Sequence, residues 1–95
     1  MNFYLTNKAV SDIKNIAKYT EKQWGKRQRN QYLKQLDDSF YAIARDPNIG
    51  RNADDIADGY KKYLIGKHLV FYRLVSYEVE IVRVLHARMD IPNHF

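Results

Sequence analysis

The sequence has no cysteine. That removes disulfide staples and thiolate metal sites, and it makes a reducing compartment the natural setting. No apolar stretch approaches the ~20 residues that a membrane helix requires. The opening Met1-Asn2-Phe3-Tyr4-Leu5 has no basic segment followed by a long apolar run, so no secretory leader is read there. The expectation is a cytoplasmic protein without a membrane attachment.

The familiar marks of catalysis are also missing. There is no G-x-G-x-x-G and no Walker A sequence, so nucleotide binding has no support. His68, His86 and His94 lack metal-ligand spacing, and no H-E-x-x-H occurs. Ser11, Ser39 and Ser76 fall in ordinary helix or turn contexts, without the setting of a nucleophile elbow. Asp54, Asp55 and Asp58 do not match a calcium loop and read as a solvated surface. No cofactor, no metal site and no catalytic residue is expected from the residues alone.

What is present fits one domain over residues 1–95. Hydrophobic residues make up 45% of the chain, which suits a single core. A chain of this length buries roughly 60–65% of its unfolded surface, for a net stability on the order of 5–10 kcal/mol. The formal net charge is +5. Such a charge suits an acidic surface, whether nucleic acid, ribosome or protein, and it equally serves solubility.

Residues 2–5 read as a short strand. Thr6 or Asn7 can cap a first helix, whose apolar positions are Ala9, Ile13, Ile16, Ala17 and Trp24, and Gly25 suits its end. A second helix is expected from Lys26 to Arg45, with Tyr32, Leu33, Leu36, Phe40, Ile43 and Ala44 as its stripe and Pro47 beyond its end. So short a connection implies an antiparallel helical hairpin. Residues 46–59 read as a surface loop. Lys61–Ile65, His68–Val75 and Glu78–Leu85 are rich in β-branched and aromatic residues and read as strands. Gly66-Lys67 makes a good hairpin turn, and Ser76-Tyr77 a weaker one without glycine. In the last strand Val79, Ile81, Arg83 and Leu85 should face one way and Glu80, Val82, Val84 and His86 the other, both sets partly apolar, as in a central strand. Arg88 to Phe95 reads as a tail without regular pattern. The predicted fold is α+β: an N-terminal strand, an antiparallel helical hairpin, then a three-stranded antiparallel meander forming one sheet.

Three features carry candidate functions. Lys26, Arg27 and Arg29 crowd the start of the second helix, a positive pole that prefers acids. They form either a binding surface or a solvated face. Lys61, Lys62, Arg73, Arg83, Arg88 and His86 are the basic set of the sheet and its end. An arginine in a central strand needs a partner: Glu78, Glu80 or a loop acid, or else an RNA phosphate or an acidic protein groove. Trp24 continues the first helix's apolar stripe and reads as core or interface.

The run from Tyr19 through Trp24-Gly25, then Tyr32-Leu33 with Leu36, Phe40, Ala44 and Pro47, then Gly50-Arg51, Gly66 and His68–Arg73, resembles a known family. The most specific part is Arg83-Val84-Leu85-His86-Ala87-Arg88-Met89-Asp90. The chain resembles ParE, the toxin of ParDE modules, a branch of the RelE/ParE superfamily of type II toxin–antitoxin systems. The resemblance covers nearly the whole chain. It implies a ParD-like antitoxin whose disordered, partly acidic segment folds over the toxin, and a toxin–antitoxin hetero-oligomer. It also implies DNA gyrase as target, without a direct nucleic-acid partner of the toxin's own. The family ties its C-terminal region to toxicity, which makes Arg83, His86, Arg88, Met89 and Asp90 the candidate target contacts. Trp24, Lys26, Arg27, Arg29 and Arg73 are the candidate antitoxin contacts. The sister branch, RelE, is a ribosome-dependent mRNA endonuclease, and Arg73, Arg83, His86 and Arg88 could be drafted for its chemistry. Against it, Ala87 follows His86 and no tyrosine comes after. An inactive antitoxin-binding module is the remaining alternative.

Overall fold

Helix α1 runs from Asn7 to Trp24 and α2 from Lys26 to Arg45 in the computed structural model, which describes residues 1–95. Thr6 fixes the start of α1. Its Oγ1 accepts from the Ala9 N–H at 3.1 Å, satisfying one of the free donors of the first turn. The same hydroxyl donates to the Val82 carbonyl at 2.7 Å and so ties the helix to the sheet. Gly25 alone separates the helices. Its φ of +91° suits glycine, and its N–H closes α1 on the Glu21 carbonyl at 2.8 Å. Ala9 and Ile16 of α1 and Leu36, Phe40, Ile43 and Ala44 of α2 are buried, so both apolar stripes turn inward as the spacing predicts, except that Trp24 at the end of the first stripe is left exposed.

Five strands form one mixed sheet: β1 (Phe3–Leu5), β2 (Arg51–Asn52), β3 (Lys61–Ile65), β4 (His68–Val75) and β5 (Glu78–His86), in the order β1-β5-β4-β3-β2. The meander β3–β4–β5 is antiparallel, as expected. β1 joins it parallel to β5, with Phe3 opposite Val79 and Leu5 opposite Ile81. The helical hairpin is the crossover that such a parallel pair requires. β2 is a short antiparallel edge inside the segment read as a loop. That segment is also less bare than expected. Ala53 is fully buried, the Tyr72 hydroxyl donates to the Pro47 carbonyl at 2.8 Å and accepts from the Gly50 N–H at 2.9 Å, and Asp54 accepts from the Gly59 N–H at 2.8 Å.

β5 lies between β1 and β4 and is covered on both faces, as its two apolar sets predict. Its alternation breaks once. Tyr72 pairs with Ile81 but Phe71 pairs with Arg83, leaving Val82 as a bulge without an opposite residue. From that point every side chain changes face. Val79, Ile81 and Val84 therefore share the core under the helices, and Leu85 turns to the other face. The uninterrupted alternation expected from the sequence is corrected there. Ser76 and Tyr77 form the two-residue β4–β5 turn at φ +49° and +65°, a left-handed pair built without glycine.

The tail is also corrected. Ile91–His94 form a single helical turn, α3. Ile91 and Phe95 pack against Ala53, Phe71 and Leu85 on the sheet face away from α1 and α2. The Phe95 ring meets Phe71 edge-on at 5.0 Å and lies 5.8 Å from Tyr60.

Candidate functional site

A groove of about 960 Å³ opens between the helical hairpin, the β3–β4 turn and the end of β5. Tyr19 and Trp24 from α1 form one lip and are 65% and 68% exposed. Two exposed aromatic rings beside an apolar-walled groove make the kind of patch that marks an interaction site. Ile16 and Val84 supply apolar wall, and Met89 closes the end by the C-terminal turn.

The floor is polar. Gly66, at φ +56°, lets the β3–β4 turn lie against the Tyr32 ring; a Cβ there would sit 2.7 Å from that ring. The Tyr32 hydroxyl accepts from the Lys67 N–H at 3.2 Å. It stands 2.5 Å from His68 Nδ1 and 3.2 Å from the Ile65 carbonyl. The hydroxyl donates to the Ile65 carbonyl and shares its shorter hydrogen bond with His68 Nδ1, which ties the ring to α2. The His86 ring lies edge-on to His68 at 5.3 Å between centroids, and its Nδ1 accepts from the Arg88 N–H at 3.1 Å. Burial, and then the neighbouring His86, push His68 down to about 4. Burial likewise raises the Tyr32 phenol.

Arg83 enters the groove from β5 but is not free. Its Nε donates to Asp12 Oδ2 at 2.8 Å and its Nη2 to Asp12 Oδ1 at 2.9 Å, a two-pronged pair with α1. Its Nη1 donates to the His94 carbonyl. The partner foreseen for this arginine was Glu78, Glu80 or a loop acid; it is Asp12. The same carboxylate accepts from the Val84 N–H at 3.0 Å, where β1 has ended and the edge of β5 would otherwise lie open. The Asp12 bond raises the Arg83 guanidinium further.

The structure thus brings Arg83, His86 and Met89 together with Trp24. Arg88 and Asp90 stand exposed on the turn beside the groove. Asp90 accepts from Asn93 Nδ2 at 2.5 Å. Lys26 and Arg27 are exposed where α2 begins, and neither makes an ion pair. Arg29 is bound to Glu21. Arg73 lies apart, on the other face of the sheet. It pairs with Glu80 at 2.7 Å and covers the Tyr60 ring. The Tyr32–His68–His86 cluster went unforeseen. His68 faces His86 only because of the Val82 bulge; in unbroken register it would face Leu85.

Comparison with known proteins places this geometry. A family model described as "ParE toxin of type II toxin-antitoxin system, parDE" matches residues 3–91. Toxin ParE1 of Caulobacter vibrioides is 36% identical over 92 residues, covering 97% of this chain and 95% of the relative. Toxin ParE1 of Mycobacterium tuberculosis is 38% identical over 93 residues, with the same two shares. Among solved structures, a chain described as "Chromosomal ParDE TA system from P. aeruginosa" superposes with a TM-score of 0.79. It is 16% identical and covers 90% of this chain and 95% of its own, a likeness of fold.

Proposed function

The chain belongs to the ParE toxin family of type II toxin–antitoxin systems, and from that premise we propose that residues 1–95 act as one cytoplasmic toxin domain that poisons DNA gyrase by binding and is silenced by a ParD-like antitoxin. The observation that carries the antitoxin reading is the groove with Tyr19 and Trp24 uncovered on its lip. A segment of the antitoxin folds into it, and Lys26 and Arg27 at the adjoining start of α2 meet its acidic residues. The solved ParDE system with the same fold supports such a partner. The candidate target residues adjoin the same groove, so an antitoxin seated there covers His86 and Met89 directly. Arg88, Met89 and Asp90 are the exposed contacts, held in place by Arg83.

Two observations favour binding over RNA cleavage. Arg83 spends its guanidinium on Asp12 and the His94 carbonyl, which leaves little to meet a developing phosphorane charge. Arg73 lies across the sheet from His86 and is paired with Glu80. The test is a gyrase supercoiling and cleavage-complex assay with antitoxin-free protein, alongside cleavage of mRNA on programmed ribosomes. Inhibited supercoiling or trapped cleaved DNA, with mRNA intact, is the expected result. Cut mRNA with unaffected gyrase overturns the reading.

A further inference from the structure

The bulge at Val82 sets two imidazoles side by side on the groove floor. Each has its Nδ1 engaged, His68 by the Tyr32 hydroxyl and His86 by the Arg88 N–H. Neither Nε2 has a partner in the chain. No buried side-chain nitrogen or oxygen lacks one either, so both Nε2 atoms are accessible, on rings that line the groove. An Nδ1 that accepts from a backbone N–H forces the proton of the neutral ring onto Nε2. The His86 ring therefore presents a donor, and its Nε2 has no lone pair to offer a metal.

The charges around the two rings fix what that donor awaits. Asp12 is the one acid lining the groove, and Arg83 and Val84 already hold it. The unpaired cation is Lys67, beside His68. One lysine among walls of Ile16, Val84 and Trp24 suits an amphipathic peptide better than a strand carrying a phosphate at every nucleotide. We propose that the Nε2–H of His86, with the His68 ring beside it and Lys67 at the rim, forms a carboxylate pocket that receives one aspartate or glutamate of an acidic segment of the antitoxin. The pocket rests on the groove being the antitoxin's seat. It adds the chemistry by which that seat selects its occupant: an apolar segment without the correctly placed acid leaves the His86 donor desolvated and unpaired, a penalty that discriminates between antitoxins.

The experiment measures binding of full-length ParD-like antitoxin to the intact toxin through Trp24, the single tryptophan of the chain, with any tryptophan of the antitoxin replaced by Phe. Antitoxin binding should shift Trp24 emission. His86→Phe removes the donor and should weaken binding about tenfold, one charge-assisted hydrogen bond, whereas His86→Gln keeps a donor and should bind as wild type. Replacing each antitoxin acid by its amide should find one position that costs about tenfold against wild-type toxin and nothing against His86→Phe. That search needs no toxin variant to be folded. Normal emission shifts with no sensitive acid, and unchanged affinity in His86→Phe and His68→Phe, would refute the pocket and leave the groove as the seat. Emission unmoved by binding, with Trp24→Ala binding as wild type, would refute the seat itself. A tenfold loss in His86→Phe confined to a single-stranded RNA 20-mer would hand the pocket to nucleic acid and overturn the proposal.

Discussion

Cutting the Asp12–Arg83 pair should destabilise the fold before it touches any partner. The two side chains are only 12% and 14% exposed, and both oxygens of Asp12 are spent on the guanidinium and the Val84 N–H. Removing one member of a buried pair costs roughly 3–5 kcal/mol because the other charge is stranded. This pair keeps a wet edge on the groove, so about 2–3 kcal/mol is expected for Arg83→Met. Asp12→Leu should cost somewhat more, since it strands Arg83 and orphans the Val84 N–H together. In a domain of this size 2–3 kcal/mol lowers Tm by roughly 10–20 °C. The double variant Asp12→Leu with Arg83→Met leaves no stranded charge and should recover the part of the loss due to it, keeping the cost of the orphaned Val84 N–H. Urea unfolding of the four proteins closes the cycle. Single variants within about 0.5 kcal/mol of wild type would refute the brace. Toxicity adds a second reading. If Arg83 acts by bracing, the refolded double variant should regain poisoning; if it stays folded and inert, Arg83 touches the target itself.

Two further predictions concern the groove floor and the far face. The folded pKa of His68 is about 4, below the ~6.5 of an unfolded chain. The unfolded state therefore takes up the proton first as pH falls. Stability should decline from about pH 6.5 towards 4 and level off below, by up to about 3 kcal/mol. His68→Gln should flatten the part of that slope above pH 5, where carboxylates contribute little, and an equal slope in both proteins in urea titrations would count against a buried neutral ring. Phe95→Ala should cost about 1–2 kcal/mol by uncovering Phe71 and Tyr60. An unfolding midpoint equal to that of wild type would mean the tail does not dock.

The periodicities that depend on local chemistry were legible. Both helices, their junction at Gly25 and the three meander strands lie where the spacing put them, because apolar stripes and a one-residue connection admit few arrangements. The parts that escaped depend on partners far along the chain. β2 is two residues long and exposed, too short for an alternation to register. α3 is a single turn held by the Phe71 and Leu85 surface, so its order comes from packing and not from its own sequence. Asp12 looked like one more polar residue of α1, and nothing local ties it to a strand 71 positions away. The two positive-φ residues at Ser76 and Tyr77 show turn geometry overriding preference, at a cost of roughly 1–2 kcal/mol each.

One extra residue in β5 connects most of what the sequence hid. Had the β4–β5 pairing stayed in register past Ile81, Val84 would have left the core, Leu85 would have entered it, and His68 would have faced Leu85 instead of His86. The bulge falls where β1 ends, at the point where β5 loses its parallel neighbour and Thr6 and Asp12 take over its Val82 carbonyl and Val84 N–H. An edge satisfied by side chains of α1 is free of the strand's strict repeat, and the irregularity is tolerated there. The bulge, the helix-held edge, the arginine brace and the histidine pair are thus one arrangement. Deleting Val82 is its most direct probe: the chain should either lose the pocket and the brace together or fail to fold, and a stable deletion variant that retains antitoxin affinity would show that the groove works without them.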